Sequence, residues 1–391
     1  MNDKINIDGK KKRIFILVSV LVVLIFVAIF VYAKRLNNKV YSSYKTLNKV
    51  SLAHLDVTVA SENCKAFSDG IIRYNSYGMS YYSGGKEVWN SSFNIENPVM
   101  DMCSGYIAIA QKDSCEVTLI DKSGNQRKIQ TSYPIKSVEV SKQGVVAATL
   151  DDGDACYIEI YDKDGTSIAS GRTVLAGDGY PIDISISNDG TRLVASYLSV
   201  SNGSTQSKVV FYNYSSVGQN EVDRIVGGFN QYKSTLVPDV EFINNTTAVA
   251  FGDNMFTIYS IEQKPKIAYE EKFEDKIDMV FHSSKYIGIV FKSNSADYSE
   301  VLKVYDTSGK KVFTKSLDFK FSDICFVGKN VVMNDSSNCR MYSFSGVERF
   351  NYTFDKNIIK LVPLKDDKYS LITGTDVELS LIHISEPTRL R

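Results

Sequence analysis

The sequence contains few of the residues that carry common catalytic chemistry. It has three histidines, one tryptophan and six cysteines in 391 residues. It also lacks the motifs of zinc proteases, α/β-hydrolases, P-loop proteins and dinucleotide-binding folds. So few histidines exclude a histidine-rich zinc cluster, and six cysteines are too few for a fold built on disulfides. We expect no cofactor, and we favour a binding protein over an enzyme.

An excess of charge of one sign is also missing, because 45 Lys and Arg balance 45 Asp and Glu. Proteins that bind nucleic acid use an excess of basic residues to neutralise phosphates. Residues 1–35 hold seven basic and two acidic residues, and residues 379–391 hold two and one. Residues 36–378 therefore carry 36 basic against 42 acidic residues. A mildly acidic body predicts no nucleic-acid partner and leaves cationic or neutral partners open.

One long apolar run, Ile14–Ala33, interrupts this balance near the N-terminus. Twenty residues of α-helix span the hydrocarbon core of a bilayer, so the run predicts a transmembrane helix that anchors the protein in the membrane. A cleaved signal peptide is the alternative. The dense basic block before the run favours a cytoplasmic tail at residues 1–13 and a body outside the cytoplasmic membrane, in a bacterial cell envelope.

Residues 34–60 have the spacing of a helical stalk. Their apolar side chains recur at steps of three and four, at Leu36, Val40, Tyr44, Leu47 and Val50. This spacing is typical of one face of a helix. The same face predicts, as a further hypothesis, a homodimer formed through the stalk.

From residue 61 to residue 378 the chain repeats a unit of alternating strands and polar turns with glycine. The unit is clearest at Leu119, Ile160 and Val304, where the sequences LIDKSGNQ, IYDKDGTS and VYDTSGKK begin. Seven markers, one in each unit, are spaced on average by about 43 residues, the length of a four-stranded propeller blade; they are Tyr82, Ile120, Tyr161, Tyr212, Tyr259, Tyr305 and Tyr342. Apolar segments upstream of most markers, such as GVVAATL from Gly144, are interpreted as the buried inner strands. The fold class is therefore all-β, a β-propeller.

The number of blades follows from the length of the repeating region. Six complete units run from about Val99 to Phe354, and a partial unit lies at each end. If the two partial units combine into one blade, the ring closes and no sheet edge is left free. This favours seven blades, with eight as the alternative.

The last segment, residues 379–391, differs from the repeats. It reads LSLIHISEPTRLR and resembles the in-frame translation of a sequencing-library adapter. We therefore predict that it is an artefact outside the propeller.

Two groups of residues are candidates for site chemistry. Asp151, Asp152 and Asp154 surround Gly153 and form a weak candidate calcium site, for which a solvated hairpin turn is the alternative. The cysteines are candidates for disulfides, with buried thiols as the alternative; they are Cys64, Cys103, Cys115, Cys156, Cys325 and Cys339. No residue is singled out as catalytic or cofactor-binding.

The layout of the chain resembles a known family. The basic tail and apolar run, the segment SENCKAFSDGIIRYN from Ser61 and the Tyr-Asp-x-x-Gly units carry the resemblance. It is similar to an uncharacterised, domain-of-unknown-function family of membrane-anchored β-propellers from clostridia-like bacteria. The resemblance implies a cell-envelope propeller and carries no known catalytic residues.

These observations lead to three hypotheses about function. The first is a binding or scaffolding module for a protein, peptide or cell-wall ligand. The second is a propeller enzyme, such as a lyase, glycan hydrolase or quinone-dependent oxidoreductase, with carboxylate and tyrosine chemistry in the central funnel. A buried pocket with convergent carboxylates and a perturbed acid would favour the second. The third is an envelope component that acts through its stalk.

Overall fold

A computed structural model describes residues 17–29, 40, 43–51, 63–175, 177–201, 203–364, 368–373 and 376–383. Within these residues, 32 strands form eight four-stranded antiparallel sheets, which are the blades of an eight-bladed β-propeller. Two 3₁₀ turns, Ser216–Gly218 and Val222–Arg224, lie in the loop between the last two strands of blade 4.

Seven blades consist of four consecutive strands each, ordered from the first strand to the last. Blade 1 is β2 (Asn63–Phe67), β3 (Gly70–Asn75), β4 (Gly78–Ser83) and β5 (Lys86–Ser92), and blade 2 is β6 (Pro98–Cys103), β7 (Tyr106–Gln111), β8 (Glu116–Asp121) and β9 (Gln126–Gln130). Blade 3 is β10 (Ile135–Val140), β11 (Val146–Asp151), β12 (Ala155–Tyr161) and β13 (Ser167–Val174), and blade 4 is β14 (Tyr180–Ile186), β15 (Arg192–Ser201), β16 (Ser204–Asn213) and β17 (Ile225–Phe229). Blade 5 is β18 (Asp239–Asn244), β19 (Thr247–Phe251), β20 (Met255–Ile261) and β21 (Pro265–Lys272). Blade 6 is β22 (Ile277–His282), β23 (Tyr286–Lys292), β24 (Glu300–Asp306) and β25 (Lys311–Leu317), and blade 7 is β26 (Asp323–Val327), β27 (Asn330–Asn334), β28 (Asn338–Ser343) and β29 (Glu348–Thr353).

Blade 8 joins the two ends of the chain. It consists of β30 (Ile358–Pro363), β31 (Lys368–Thr373) and β32 (Asp376–His383), and its outer strand is β1 (Ser43–Ser51). β1 pairs antiparallel with β32 from Ser51 opposite Asp376 to Ser43 opposite His383. The N-terminal strand therefore closes the ring.

The core lies between the blades. Eight clusters of buried apolar side chains each join two neighbouring blades around the ring. All seven marker residues are buried in these clusters. Six of the markers are tyrosines, and at each of these six the third strand of the blade shifts register against the fourth. The marker side chains therefore pack between neighbouring blades.

The turns after the markers have the geometry that their sequences predict. In blade 3 the Asp162 carboxylate accepts the backbone N–H of Asp164 at 3.0 Å and that of Thr166 at 2.8 Å. Gly165 adopts a φ of 86°, which a residue with a side chain rarely does. This is why Asp and Gly recur at fixed positions in the repeat.

The prediction of seven blades is wrong, because the structure has eight. The segment Phe67–Phe93, which the sequence suggested was a partial blade, lies in a complete blade of short strands joined by tight turns. The C-terminal partial unit does need an added strand, but β1 supplies it, from a segment that the sequence assigned to the stalk.

The helical stalk is also corrected, because residues 43–51 form a strand. The register of β1 shifts between Thr46 and Asn48, which makes Leu47 an extra, exposed residue. A bulge adds one residue to a strand and so interrupts its two-residue alternation. The apolar residues Tyr44, Leu47 and Val50 are therefore three residues apart, a spacing that is also found on one face of a helix. Val40 is exposed and Leu36 lies outside the described residues. The stalk helix that would form a dimer is therefore absent from residues 43–51.

The predicted transmembrane helix at Ile14–Ala33 is corrected as well. Residues 17–29 are helical, with exposed apolar side chains. In the part of the chain that the structure describes, no helix combines the length and apolar content needed to cross a membrane.

The predicted artefact at residues 379–391 begins inside β32. The backbone of Leu379–His383 pairs with β1, and Ser380 is buried. Residues 384–391 lie outside the described part, and the adapter origin of the segment stays a prediction.

The closing blade contains a buried acid with two lysine neighbours. Glu378 on β32 is 3% exposed. Its carboxylate lies 2.6 Å from the Lys356 ammonium and 3.8 Å from that of Lys49 on β1, and it accepts the Thr46 hydroxyl at 3.2 Å. These contacts tie β1 to the rest of blade 8.

We expect Lys356→Met to destabilise the protein by roughly 3 kcal/mol, because it leaves a buried carboxylate without its closest cation. Lys163→Met is the matched control, since Lys163 and Asp164 form an exposed pair at 2.8 Å. Exposed pairs contribute about 0–1 kcal/mol. Urea unfolding of both variants measures the difference, and equal losses would contradict the role assigned to Glu378.

Candidate functional site

The first strands of the blades surround the propeller axis, and contacts between first strands of adjacent blades join β6 to β10, β10 to β14 and β14 to β18. Each of these four strands carries acidic residues between apolar ones. We define the acidic channel as the five carboxylic acids on them, Asp101 (β6), Glu139 (β10), Asp183 (β14), Asp239 and Glu241 (both β18). The charges of Asp101, Asp183 and Glu241, from three other blades, all act on Glu139. The acids therefore converge.

Two of these acids hold neighbouring blades together. Asp101 accepts the backbone N–H of Val140 at 2.8 Å, and Asp183 accepts that of Val240 at 2.7 Å. Both bonds run to the first strand of the next blade, whose inner edge pairs with none of the described strands. Since buried backbone groups need partners, these carboxyls have a structural function.

The other acids are less committed to the backbone. Glu241 accepts the Ser185 hydroxyl at 3.2 Å and lies 3.6 Å from Nε2 of His282 on β22. Within the described residues, no hydrogen bond or ion pair joins the Glu139 carboxyl to a neighbour. Glu139 is half-buried, so solvent in the channel reaches it.

Burial and mutual repulsion raise the pKa values of Glu139, Asp183 and Asp239. Burial, followed by the charges of its acidic neighbours, raises the pKa of Glu139 well above its usual range. Burial raises the pKa of Asp183 to about 8 and that of Asp239 to about 6, and Glu241 adds to both. Burial opposes protonation of His282, but Glu241 and Asp239 outweigh it and raise the His282 pKa. Ionising these channel acids therefore costs free energy.

The channel opens at the turns that follow the first strands. A cavity of about 500 Å³ lies there across blades 3 to 6. Its lining is polar and consists of Lys142, Gln143, Asn188, Asp189, Asn244, Asn245, Thr246 and Ser284. Side-chain amides and hydroxyls can both donate and accept hydrogen bonds, so this mouth suits a polar chain or a sugar.

The opposite side of the axis has a different character. On blades 7 and 8, Lys360 pairs with Asp323 at 3.0 Å. Cys325 and Cys64 flank Lys360 on the neighbouring first strands, and burial raises the pKa of each thiol to about 12. On this side the Lys360 and Asp323 charges balance each other, and the two thiols are unreactive because they stay protonated.

The predicted calcium candidates lie away from the channel. Asp151, Asp152 and Asp154 occupy the turn between β11 and β12, at the far end of blade 3. Asp151 accepts the Gly153 N–H at 2.8 Å, and Asp152 accepts those of Asp154 and Ala155. The carboxylates thus bond to their own hairpin. Among the described residues, no group of three or more ligating side chains could hold a metal ion.

The candidate disulfide cysteines are all free thiols in the structure. Cys103 ends β6 and Cys115 precedes β8, so the two lie at opposite ends of blade 2. Cys325 and Cys339 pack in one apolar cluster between blades 7 and 8. The structure agrees with the alternative of partly or fully buried thiols.

The acidic channel was missed in the sequence because its strands were not recognised as the innermost ones. The segments interpreted as inner strands, such as GVVAATL, contain the second strands of their blades. The first strands have a weaker signal, an acid between apolar residues, as in IDISI from Ile182 and DVEF from Asp239.

Solved structures that resemble this chain include one, BamB, whose similarity supports the fold. BamB from Moraxella catarrhalis is similar at a TM-score of 0.51 and 10% identity, covering 87% of this chain and 100% of that one. The Pan2 WD40 domain of Neurospora crassa has a TM-score of 0.49 and 8% identity, covering 89% of this chain and 100% of its own. At 10% identity the likeness to BamB concerns the fold alone. No curated protein matches the chain significantly.

A family description matches most of the sequence. The family of unknown function DUF5711 matches residues 37–380, which include all eight blades except the last three residues of β32. The predicted membership of an uncharacterised family is confirmed in this respect. The chain belongs to the DUF5711 family.

Proposed function

We propose that this propeller is a binding module that takes a cationic segment of a protein or peptide into its acidic channel. The observation that carries the proposal is the convergence of five carboxylic acids from four neighbouring blades, several with raised pKa values. Like charges in a confined space repel, and an incoming cation relieves that repulsion.

The details of the channel fit a lysine or arginine side chain. Glu139 has no protein partner among the described residues, and Glu241 has only a hydroxyl and a histidine at 3.6 Å. An ammonium or guanidinium donates charge-assisted hydrogen bonds to such carboxylates. The polar mouth, with Asn188, Asn244 and Asn245, can bind the backbone of the same segment.

The wider setting agrees with this proposal. The body of the protein is mildly acidic, and a propeller fold presents loops around a central opening suited to binding. We include the predicted location outside the cytoplasm in the proposal, since basic residues followed by an apolar run are typical of exported proteins. Digestion of the propeller by protease added to intact cells would test that location.

The proposal predicts binding of a penta-lysine peptide that releases protons. The cation lowers the pKa values of the channel acids, so affinity should rise as the pH rises from about 6 to 8. Glu139→Gln should reduce both affinity and proton release, by roughly tenfold in affinity if one charge-assisted bond is lost. Calorimetry in two buffers of different ionisation enthalpy measures both quantities.

Two controls make this test specific. The same peptide with acetylated lysines should not bind, because it has no charge. Asp164→Asn removes an exposed carboxylate in a blade 3 turn and should leave binding unchanged. Equal binding of the acetylated peptide, or equal weakening by Asp164→Asn, would show that any attraction is not located in the channel.

The raised pKa of Asp183 also predicts how stability depends on pH. Its folded value of about 8 exceeds the value of 3.8 for an unperturbed aspartate, so the folded state binds more protons between these limits. Stability from this group is therefore lost as the pH rises through about 8. Asp183→Asn stays neutral and keeps an oxygen for the Val240 N–H. Its melting temperature should exceed the wild-type value by about 2 °C or more at pH 8, and the difference should shrink as the pH falls and vanish only near or below about pH 4. A difference independent of pH would contradict the assignment.

A propeller enzyme is the second candidate, and the convergent carboxylates favour it as well. Because Asp101 and Asp183 bond to neighbouring backbone, the available acid–base pair is Glu241 with His282, beside Asp239. We would expect this pair to act on a cell-wall glycan. Release of reducing ends from peptidoglycan fragments, abolished by His282→Gln and retained by Asp164→Asn, would favour the enzyme over the binding module.

A further inference from the structure

A second cavity lies between blades 3 and 4, separate from the channel. Its volume is about 340 Å³, within the usual range for small-molecule sites. The fourth strand of blade 3, the facing strands of blade 4 and the loop that contains the two 3₁₀ turns enclose it. We call it the blade 3–4 cleft.

The cleft exists because blade 3 lacks a large side chain that other blades have. In four blades the residue of the fourth strand that pairs next to the register shift is aromatic; these residues are Trp89, Tyr269, Phe313 and Phe350. In blade 3 the same position is Ala169, opposite Ile160. The next residue on that face is Gly171, and a side chain there would meet only one atom, at 4.0 Å. The missing volume is thus left open.

Blade 4 shows that a small residue at this position need not leave a cavity. Its equivalent residue is Gly227, opposite Phe211. A Cβ at Gly227 would lie 2.4 Å from the Pro265 side chain of blade 5, so the neighbour already fills the space. The space at Ala169 has no such occupant.

The charges in the cleft favour an anionic ligand. Lys208 and Arg224 line it, and Lys208 lies over the Tyr197 ring. Arg172 also forms part of the wall, but its guanidinium donates to the Tyr157 hydroxyl at 3.3 Å, on the face of blade 3 that packs against blade 2. Within the described residues, no ion pair joins Lys208 or Arg224 to a carboxylate.

Two of the three acids that line the cleft have partners within the protein. Glu221 pairs with Lys264 at 2.8 Å, and Asp178 accepts the Val174 backbone N–H at 3.0 Å. The third, Asp223, is exposed to solvent. Lys208 and Arg224, in contrast, have no carboxylate partner among the described residues, so both are available to pair with an anion.

The remaining walls suit a ring. Tyr212 and Tyr214 have parallel rings 6.5 Å apart, and the hydroxyls of Tyr212 and Tyr197 share a hydrogen bond of 2.6 Å. Ile158 and Val210 add apolar surface. Both sugar rings and aromatic rings pack on such walls.

The loop over the cleft is held in an unusual conformation. Asp223 and Arg224 both have positive φ angles, 52° and 62°. Such angles are costly for residues with side chains, so the surrounding structure must maintain them. Arg224 is thereby kept at the cleft.

We propose that the blade 3–4 cleft binds a small organic anion in which a carboxylate or similar group is attached to a ring. The anionic group pairs with Arg224 and Lys208, and the ring occupies the space beside Ala169. This site does not depend on the proposed function of the channel.

Ligand-observed NMR with two pairs of probes tests the proposal on the whole protein. Glucuronate and benzoate carry the anion on a sugar and on an aromatic ring, and glucose and benzyl alcohol are their neutral counterparts. We expect saturable binding of at least one acid, at least about tenfold tighter than its neutral counterpart, as one charge-assisted bond implies. The acid that binds identifies the class of ring. Binding of neither acid, or equal binding of the neutral probe, would overturn the proposal.

Variants place the binding in the cleft. Ala169→Phe restores the aromatic residue of the other blades and should abolish binding. Thr314→Phe, at an exposed position of the fourth strand of blade 6, is the matched control and should not affect it. Arg224→Gln leaves the packing of the blades intact and should weaken acid binding about tenfold while leaving the neutral probe unchanged. Full acid binding by Arg224→Gln would overturn the proposal even if Ala169→Phe fails to fold.

Discussion

The pairing of β1 with β32 is the constraint on which the rest of the structure depends. A blade must bury both faces against neighbours and leave no exposed edge prone to association. Without β1, blade 8 would have three strands and an open edge on β32. β1 also contributes Tyr44 to the interface with blade 7, where it packs on Tyr352 and Phe354, and Val50 to the interface with blade 1. One strand thus completes a sheet and two of the eight interfaces.

The closed ring also produces the electrostatics of the axis. It brings the first strands together with their inner edges unpaired, and the backbone groups on those edges need partners. Asp101 and Asp183 supply carboxyl oxygens, and Ser185 accepts the Phe242 N–H in the same way. The acids that satisfy the backbone also raise the pKa of Glu139, so the structural and ligand-binding properties of the channel have a common origin.

The sequence predicted those features that repeat locally and missed those created by ring closure. The markers identified a propeller because each lies near the end of a buried strand before a polar turn, and at Ile120, Tyr161 and Tyr305 that turn contains Asp and Gly. The predicted number of blades was wrong because a bulge at Leu47 gave β1 the residue spacing of a helix. The channel was missed because a single acid between apolar residues, such as Asp183 between Ile182 and Ile184, is typical of any strand with one wet face. Only the closed ring of blades shows that four such strands lie next to one another at the axis.

Departures from the repeat carry information that the repeat itself does not. Equivalent interfaces need equivalent volumes, so a blade with a smaller side chain must be compensated by its neighbour or leave a cavity. Pro265 compensates for Gly227, whereas nothing of comparable size compensates for Ala169 and Gly171. A cavity maintained solely by poor packing would be expected to have apolar, featureless walls. The blade 3–4 cleft instead has two cations, Lys208 and Arg224, that no described carboxylate pairs with, and a loop held at two positive φ angles. This is the pattern expected of a site shaped for a ligand.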